Sequence, residues 1–468
     1  MSTRVARRKR RGKPAAVSAA RRRAQQRAMR AALRQQITAL VQQTVEQALA
    51  DEVTALLGRG KYTRRRSGPQ RRAGAVCSRC QLDWAPRFTR AGSYPRTLLT
   101  LAAQVALRVP RVSCVCGGTV PLEFATFGRY ARSWDEVQAR ARPLSGLCLA
   151  LRDIREVLAE PSGVWLAPST LNGWVHDAGA LAATLRGEPF GRVPPVVLLD
   201  GLWLKLMVPT GERYQDRAGR ERARVRRVTV PLLVAYGVDP ATGERWLLDW
   251  EQAPGEDEAS WRGLLERLQA RGLRAEAGLV LFVHDGSAGL EAAFGLVDFG
   301  PAVLRQRCVF HVLRNLGDHV RGTPGQTREQ RRAHRRALLQ EAATIWEPLD
   351  GNAVRARYRA FCARWRATEG AVVAALERVF PQTVAYLEAR ARGREWGQAW
   401  PVQALRTTSP LERLNRALRQ KARQVATFQA PQGLTAAVVL VLMHYGATAP
   451  APAADLWIDL LEAGLLAA

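Results

Sequence analysis

Acidic residues are missing where basic ones are densest: the first 35 residues of this 468-residue chain contain no Asp or Glu. Such a block of like charge repels itself and stays extended, in the manner of a nucleic-acid-binding arm. A solvated tail without a specific role is the alternative. Cysteine is also scarce, at seven. A secreted disulfide framework would be denser and sit in a shorter chain, so a reducing compartment fits better. Long apolar runs are lacking too. The longest near the C-terminus, Leu434 to Leu442, is far short of the roughly 20 residues a membrane span needs. No apolar stretch follows the basic N-terminus, which argues against a secretory signal; an organellar transit peptide is the remaining alternative for so Arg-rich a start. These absences point to a cytoplasmic chain with no membrane partner.

What is abundant is positive charge. There are 71 Lys+Arg against 41 Asp+Glu, a formal net charge of +30. Such an excess calls for a polyanionic partner, and nucleic acid is the commonest. Hydrophobic residues make up 47% of the chain, ample for buried cores, and the length predicts several domains.

Along the chain, residues 1–35 form the basic arm, expected to be disordered, with Arg7, Arg8, Arg10 and Arg11 as phosphate contacts. Residues 36–73 carry an amphipathic helix, whose stripe is Ile37, Leu40, Val41, Val45, Leu49, Val53 and Leu56, and then a basic linker with Arg64, Arg65 and Arg66. Residues 74–120 hold two cysteine pairs, Cys77/Cys80 and Cys114/Cys116, around a strand expected over Leu99–Val109 and closing at Pro110. Four thiolates suit a tetrahedral structural zinc in a zinc-ribbon-like module; four reduced cysteines in a small core are the alternative. Residues 121–190 show two short helical patterns with Ser169 placed to cap the second. They suit a helix-turn-helix, although the loop is long for one. Ser169, Thr170 and Asn172 are then the candidate base-reading residues. Residues 191–311 alternate strands and helices, 312–402 are mostly helical, 403–446 hold a helix opened by Ser409-Pro410 and a closing helix, and 447–468 form a tail.

Two apolar strand runs end in Asp: VVLLD at Asp200 and LVLFVHD at Asp285. Carboxylates at strand ends project into the cleft where α/β sites lie. With a third carboxylate they would suit a two-metal phosphoryl-transfer site, because hard divalent ions take oxygen ligands. Taken singly, each Asp reads equally as a turn or helix cap. Glu412 is the third candidate. It lies about 100° round its helix from the apolar Leu411 stripe and shares a face with Asn415, Arg416 and Arg419. An i,i+4 ion pair between Glu412 and Arg416 on a solvated helix is the alternative.

The ordered motifs resemble those of Mutator-type bacterial insertion-sequence transposases. The resemblance rests on VVLLDGLWLK at 196–205, on Asp285-Gly-Ser-Ala-Gly289-Leu290 running to Gln306-Arg307-Cys308-Val309-Phe310-His311, and on TTSPLERLNRALRQKARQV at 407–425. Upstream, LADEVTALLG at 49–58, VALRVPRV at 105–112 and LCLALRDIREVL…LAPSTLNGWV at 147–175 are similar as well. The resemblance spans roughly residues 36–446. It implies a multidomain α/β protein: an RNase H-like mixed-sheet core interrupted by a helical insertion, preceded by the arm, the cysteine module and the helix-turn-helix. It implies that Asp200, Asp285 and Glu412 are catalytic and hold two Mg²⁺ or Mn²⁺ ions, and that Arg416 and Arg419 of the third-carboxylate helix lie beside DNA. Cys308 and His311 match that family's Cys-x-x-His. Two soft or borderline ligands do not close a zinc site, so they read as packing and positioning residues. The implied partners are the element's terminal inverted repeats, target DNA and further copies of the chain, in a bacterial, nucleoid-associated setting. A transposase-derived DNA-binding protein without catalysis and a structure-specific nuclease are the rival readings; the three carboxylates argue against the first and the large basic N-terminal half against the second. The cysteine pairs depart from the usual family pattern.

Overall fold

The computed structural model describes residues 19–63, 73–128 and 130–445. Arg7, Arg8, Arg10, Arg11, Arg64, Arg65 and Arg66 lie outside the described residues. The chain divides into two compact units, one formed by residues 1–138 and 156–166, the other by residues 139–155 and 167–468.

The first unit opens with α1 (Ala19–Leu57). The helix was expected to begin at residue 36, but among the described residues it already includes Ala19, so residues 19–35 are helical rather than disordered. The apolar period is silent there and every described side chain of 21–36 is exposed. Ala, Arg, Gln and Met are nonetheless strong helix formers, and no Gly or Pro interrupts them. Further along, Val45, Leu49, Val53 and Leu57 are buried. They cover a three-stranded antiparallel sheet of β1 (Phe88–Leu99), β2 (Gln104–Cys114) and β3 (Thr119–Val120), in the order β1-β2-β3. Glu46 and Glu52 on the helix accept from the backbone N–H groups of Arg108 and Ala125, at 2.8 and 2.9 Å.

The single strand expected over 99–109 is two strands. Thr100 bends the chain through Ala103 with a backbone and a side-chain hydrogen bond. Pro110 does not end β2. Its missing N–H falls where β1 shifts register between Arg90 and Ser93, a place where a sheet tolerates proline.

Two helices follow, α2 (Asp135–Gly146) and α3 (Leu151–Ser162), each running from one unit into the other. In the second unit α4 (Pro168–Asp177) and α5 (Leu181–Gly187) lead into a five-stranded sheet. Its strands are β4 (Val196–Gln215), β5 (Glu221–Val238), β6 (Arg245–Gln252), β7 (Leu281–His284) and β8 (Leu304–Arg307). The order is β6-β5-β4-β7-β8; β4, β5 and β6 pair antiparallel, while β7 and β8 continue in parallel from β4. Helices α6 (Glu258–Ala270) and α7 (Ala288–Phe294) lie within this part of the chain. Val197, Leu199 and Phe282 pack with Trp261 and Leu290 on one face. Val196, Leu198, Leu202 and Val283 pack on the other.

After β8 comes a helical stretch: α8 (Val309–His319), α9 (Arg328–Thr344), α10 (Gly351–Trp365), α11 (Gly370–Val379), α12 (Ala385–Glu395) and α13 (Val402–Arg406). Buried Gln306 on β8 accepts from the Tyr386 N–H at 3.0 Å and so ties α12 to the sheet. The chain then returns through α14 (Ser409–Val425) and α15 (Pro431–Tyr445). Leu411, Leu414 and Leu418 of α14, with Leu434 to Leu442 of α15, complete the larger core. Among the described residues, no helix is long and apolar enough to cross a membrane.

Ser169 does not cap α4. The N-cap is Ala167, with Pro168 at the first position, and no side chain closes the helix. Its buried residues Leu171 and Val175 face inward, and Gly433 of α15 lies close to His176.

Candidate active site

In the second unit, β4 does not stop at Asp200 as expected; it runs on for fifteen residues to Gln215, so Asp200 lies within the strand. Even-numbered residues of β4 point to the face covered by α14 and α15. Asp200 is therefore buried, at 5% exposure. Its Oδ2 accepts from Asn415 Nδ2 at 2.6 Å, and its Oδ1 from the Gly201 N–H at 3.0 Å.

Asp285 follows β7 directly. Because β4 and β7 are parallel neighbours with Leu199 opposite His284, the two Asp residues emerge side by side. Asp285 Oδ1 also accepts from the Ser287 N–H at 3.0 Å, so it shapes the turn after β7.

Glu412 lies in the first turn of α14. It makes no ion pair with Arg416. Its carboxylate is instead 4.0 Å from His311 Nε2 and 3.6 Å from Arg419 Nη1. Arg416 and Arg419 are exposed, whereas Asn415, expected on the same polar face, is fully buried against Asp200.

The electrostatics connect these groups. Burial raises Asp200 to about 7; the Asp285 and Glu412 charges push it the same way, against the opposing pull of His311. For His311, burial favours the neutral ring, but the Cys308 sulfur and the Asp200 and Asp285 carboxylates outweigh it and lift the ring to about 9. Cys308 caps the start of α8 and is buried. Its sulfur accepts from the Thr408 N–H and hydroxyl, both at 3.4 Å. Thr408 precedes α14, so this contact joins the starts of the His311 and Glu412 helices.

Reading the sequence overlooked one group and gave Asn415, placed on the Glu412 face, no role of its own. Glu256, in the loop after β6, carries a buried Oε1 without a hydrogen-bond partner. Its pKa is raised by burial and by Asp285. A Cβ at Gly201 would lie 2.9 Å from that oxygen, so the glycine beside Asp200 leaves room for a fourth carboxylate. Nothing in the local pattern Pro254-Gly255-Glu256 signals this.

In the first unit, Cys77, Cys80, Cys114 and Cys116 come together with all four sulfurs within 4.8 Å of one another. Cys77 and Cys116 are 3.5 Å apart, Cys80 and Cys114 3.7 Å. All are free thiols. The Cys116 backbone N–H first, then the Cys116 thiol, Arg87 and the Cys80 thiol, bring Cys114 down to about 6 against its burial. Gly118 must be glycine, because a Cβ there would meet Cys77 Sγ at 2.6 Å. Among the described residues this is the one group of three or more Cys, His, Asp or Glu so closely gathered; the three carboxylates are spaced more widely.

The exposed face of α4 carries Ser169, Thr170 and Asn172.

Residues 15–447 match the family described as "Transposase, Mutator family". The chain is 27% identical over 343 residues to the transposase for insertion sequence element ISRM5 of Rhizobium meliloti, covering 72% of this chain and 74% of that one. It is 30% identical over 344 residues to the transposase for IS406 of Burkholderia multivorans, covering 73% and 77%. It is 25% identical over 360 residues to the transposase for IS905 of Lactococcus lactis, covering 76% and 80%.

Proposed function

Because the chain belongs to the Mutator family of transposases, we propose that it cuts and joins DNA at the ends of an insertion sequence through Asp200, Asp285 and Glu412. The observation that carries this is geometric: Asp200 in β4 and Asp285 just after its parallel neighbour β7 lie side by side, and Asn415, one turn beyond Glu412 on α14, donates to Asp200 at 2.6 Å, so elements from distant parts of the chain bring three carboxylates together. The five-stranded mixed sheet, interrupted by six helices before α14, supports an RNase H-like core.

The residues fit divalent cations. The donor set is oxygen, which suits Mg²⁺ or Mn²⁺. His311, lifted to about 9, is the protein cation whose charge bears on Asp200 and Asp285. Asp200, Asp285 and Glu412 would hold such divalent ions, which would supply charge stabilisation to the attacking and leaving oxygens of an in-line displacement.

The protein's own contribution is positioning. Asn415 fixes the Asp200 carboxylate by donating to one oxygen. Cys308 and Thr408 hold α14 so that Glu412 faces His311. Arg416 and Arg419 offer charge to phosphate oxygens. Water attacks first, and the 3′-hydroxyl so released then attacks target DNA; no covalent enzyme intermediate is needed.

The cysteine cluster is the place for a structural zinc. Zinc–sulfur bonds of about 2.3 Å in a tetrahedron separate the sulfurs by about 3.8 Å, close to the spacing of the two pairs. Its role is to pin the Cys77–Cys80 loop to the end of β2 and so stiffen a module that contacts the element's ends. Ser169, Thr170 and Asn172 on α4 read bases, and the N-terminal arginines add phosphate contacts. Self-association follows from the need to hold two ends at once.

The test is incubation of the purified protein with Mg²⁺ or Mn²⁺ and DNA carrying the element's own flanking repeats. Cleavage at the repeats followed by joining is the expected result. Binding without cleavage under either metal would favour a DNA-binding protein that has lost catalysis.

A further inference from the structure

From Pro209 onward the β4–β5 hairpin leaves the sheet. Residues 209–227 are exposed throughout except Asp216, and they contain seven arginines against three acids. Four of the arginines pair within the hairpin: Arg213 with Glu221, Arg220 and Arg222 with Asp216, and Arg224 with Glu212. Arg217, Arg226 and Arg227 have no ion-pair partner among the described residues. These internal pairs are solvent-exposed and therefore weak; their role is to keep a protruding ribbon in register rather than to neutralise it.

The alternation of the strand decides which face the charge occupies. Asp200 pairs with Val234 on β5. Counting back by twos from Val234 along β5 passes Leu232, Val230 and Val228, then reaches Arg226, Arg224 and Arg222. Side chains two apart share a face, and the register shift opposite these residues adds its extra residues to β4, between Pro209 and Arg213, so along β5 these three arginines continue the face that carries Val234. Arg226 and Arg222 stand about 27 and 41 Å from the Asp200 level, at about 3.4 Å per residue. Duplex DNA rises by about the same amount per base pair, which corresponds to roughly 8 to 12 base pairs.

We propose that this ribbon is a DNA clamp: Arg222, Arg224 and Arg226 grip the duplex roughly 8 to 12 base pairs from the phosphodiester held at Asp200. A two-stranded ribbon fits the major groove, and arginines spaced along it neutralise successive phosphates. A second copy of the chain is a poorer occupant, because docking like faces would set arginine against arginine. The inference rests on the catalytic reading above only for where the cut lies.

The experiment compares the wild-type protein with the triple variant R222A/R224A/R226A on two duplexes from the element's end, one reaching roughly 6 and the other roughly 16 base pairs from the cleaved bond. On the long duplex the variant should bind at least tenfold more weakly. Its log–log salt slope should be smaller by about 0.9 for each phosphate it no longer neutralises. On the short duplex the two proteins should bind alike. An unchanged melting midpoint shows that the exposed substitutions leave the fold intact. Equal affinity and equal salt slope on the long duplex would overturn the clamp. So would a changed oligomeric state, by light scattering without DNA, with an unchanged slope, since it would assign the ribbon to a second copy. The D200N protein separates the two readings: binding like wild type without cleaving supports the catalytic assignment whatever the ribbon does, and cleavage by D200N removes that assignment while leaving the binding comparison intact.

Discussion

The cysteine cluster of the first unit and the carboxylate site of the second are built on opposite plans. The cysteines come from two short turns, and hydrogen bonds across one small sheet bring their sulfurs within 4.8 Å. The carboxylates come from a strand, a strand end and a helix, and residues 286–411 separate the last two. They are spaced more widely, and Asp200 is held at about 7, first by its burial. A closed ring of soft donors suits a metal that only stiffens the chain, whereas an open set of hard donors leaves room for ions to meet phosphate. Under the proposed reading, the closed set of sulfurs is the structural site and the buried, mutually perturbed carboxylates are the catalytic one.

The largest effect should come from the open site. Asp200→Asn, Asp285→Asn and Glu412→Gln should each lower cleavage and joining by roughly 10³-fold or more while leaving DNA binding and zinc content unchanged. Near-normal strand transfer by one of these variants would remove that residue from the set.

The closed site should fail differently. Protein prepared without chelator should carry about one zinc per chain, and Cys77→Ser or Cys114→Ser should lose it. Because a structural zinc contributes on the order of 10 kcal/mol to its module, the first unit should then melt well before the second in a thermal scan followed by hydrogen exchange. Acid should release the zinc as protons reclaim the thiolates. After treatment with a chelator, Mg²⁺ alone should restore the carboxylate site but not the melting of the first unit. Metal analysis that finds no zinc would collapse the contrast.

Smaller effects sharpen it. Asn415→Ala removes the donor that orients Asp200 and should cost about 10- to 100-fold in Mn²⁺ affinity or turnover. Glu256→Gln removes a fourth negative charge beside Asp285. It should weaken Mn²⁺ binding severalfold, by titration calorimetry, with little effect on Mg²⁺-saturated cleavage; unchanged binding would make Glu256 a packing residue only.

Much of the plan was legible along the chain. The apolar runs before Asp200 and Asp285 gave away two strands, and Ser409-Pro410 marked the start of α14 because a proline presets its first turn; Ser409 is not the cap, however, since the N-cap is Thr408 and no side chain closes the helix. The cysteine spacing announced a cluster. Residues 19–35 were misread because helix propensity without an apolar stripe leaves no period to see. The end of β4 was misread because Asp200 interrupts the hydrophobic run inside a strand that goes on.

What the sequence by itself determined is therefore local: which segments are apolar, where helices begin, which residues can ligate metal, and that so basic a chain seeks a polyanion. Tertiary structure alone decided the rest. Asn415 and Glu256 gain their meaning only from sitting beside Asp200 and Gly201, contacts made by elements far apart in the chain. The arginines of the hairpin share a face with Asp200 only because Asp200 pairs with Val234 on β5. A register is a relation between two strands, and no window on one of them contains it.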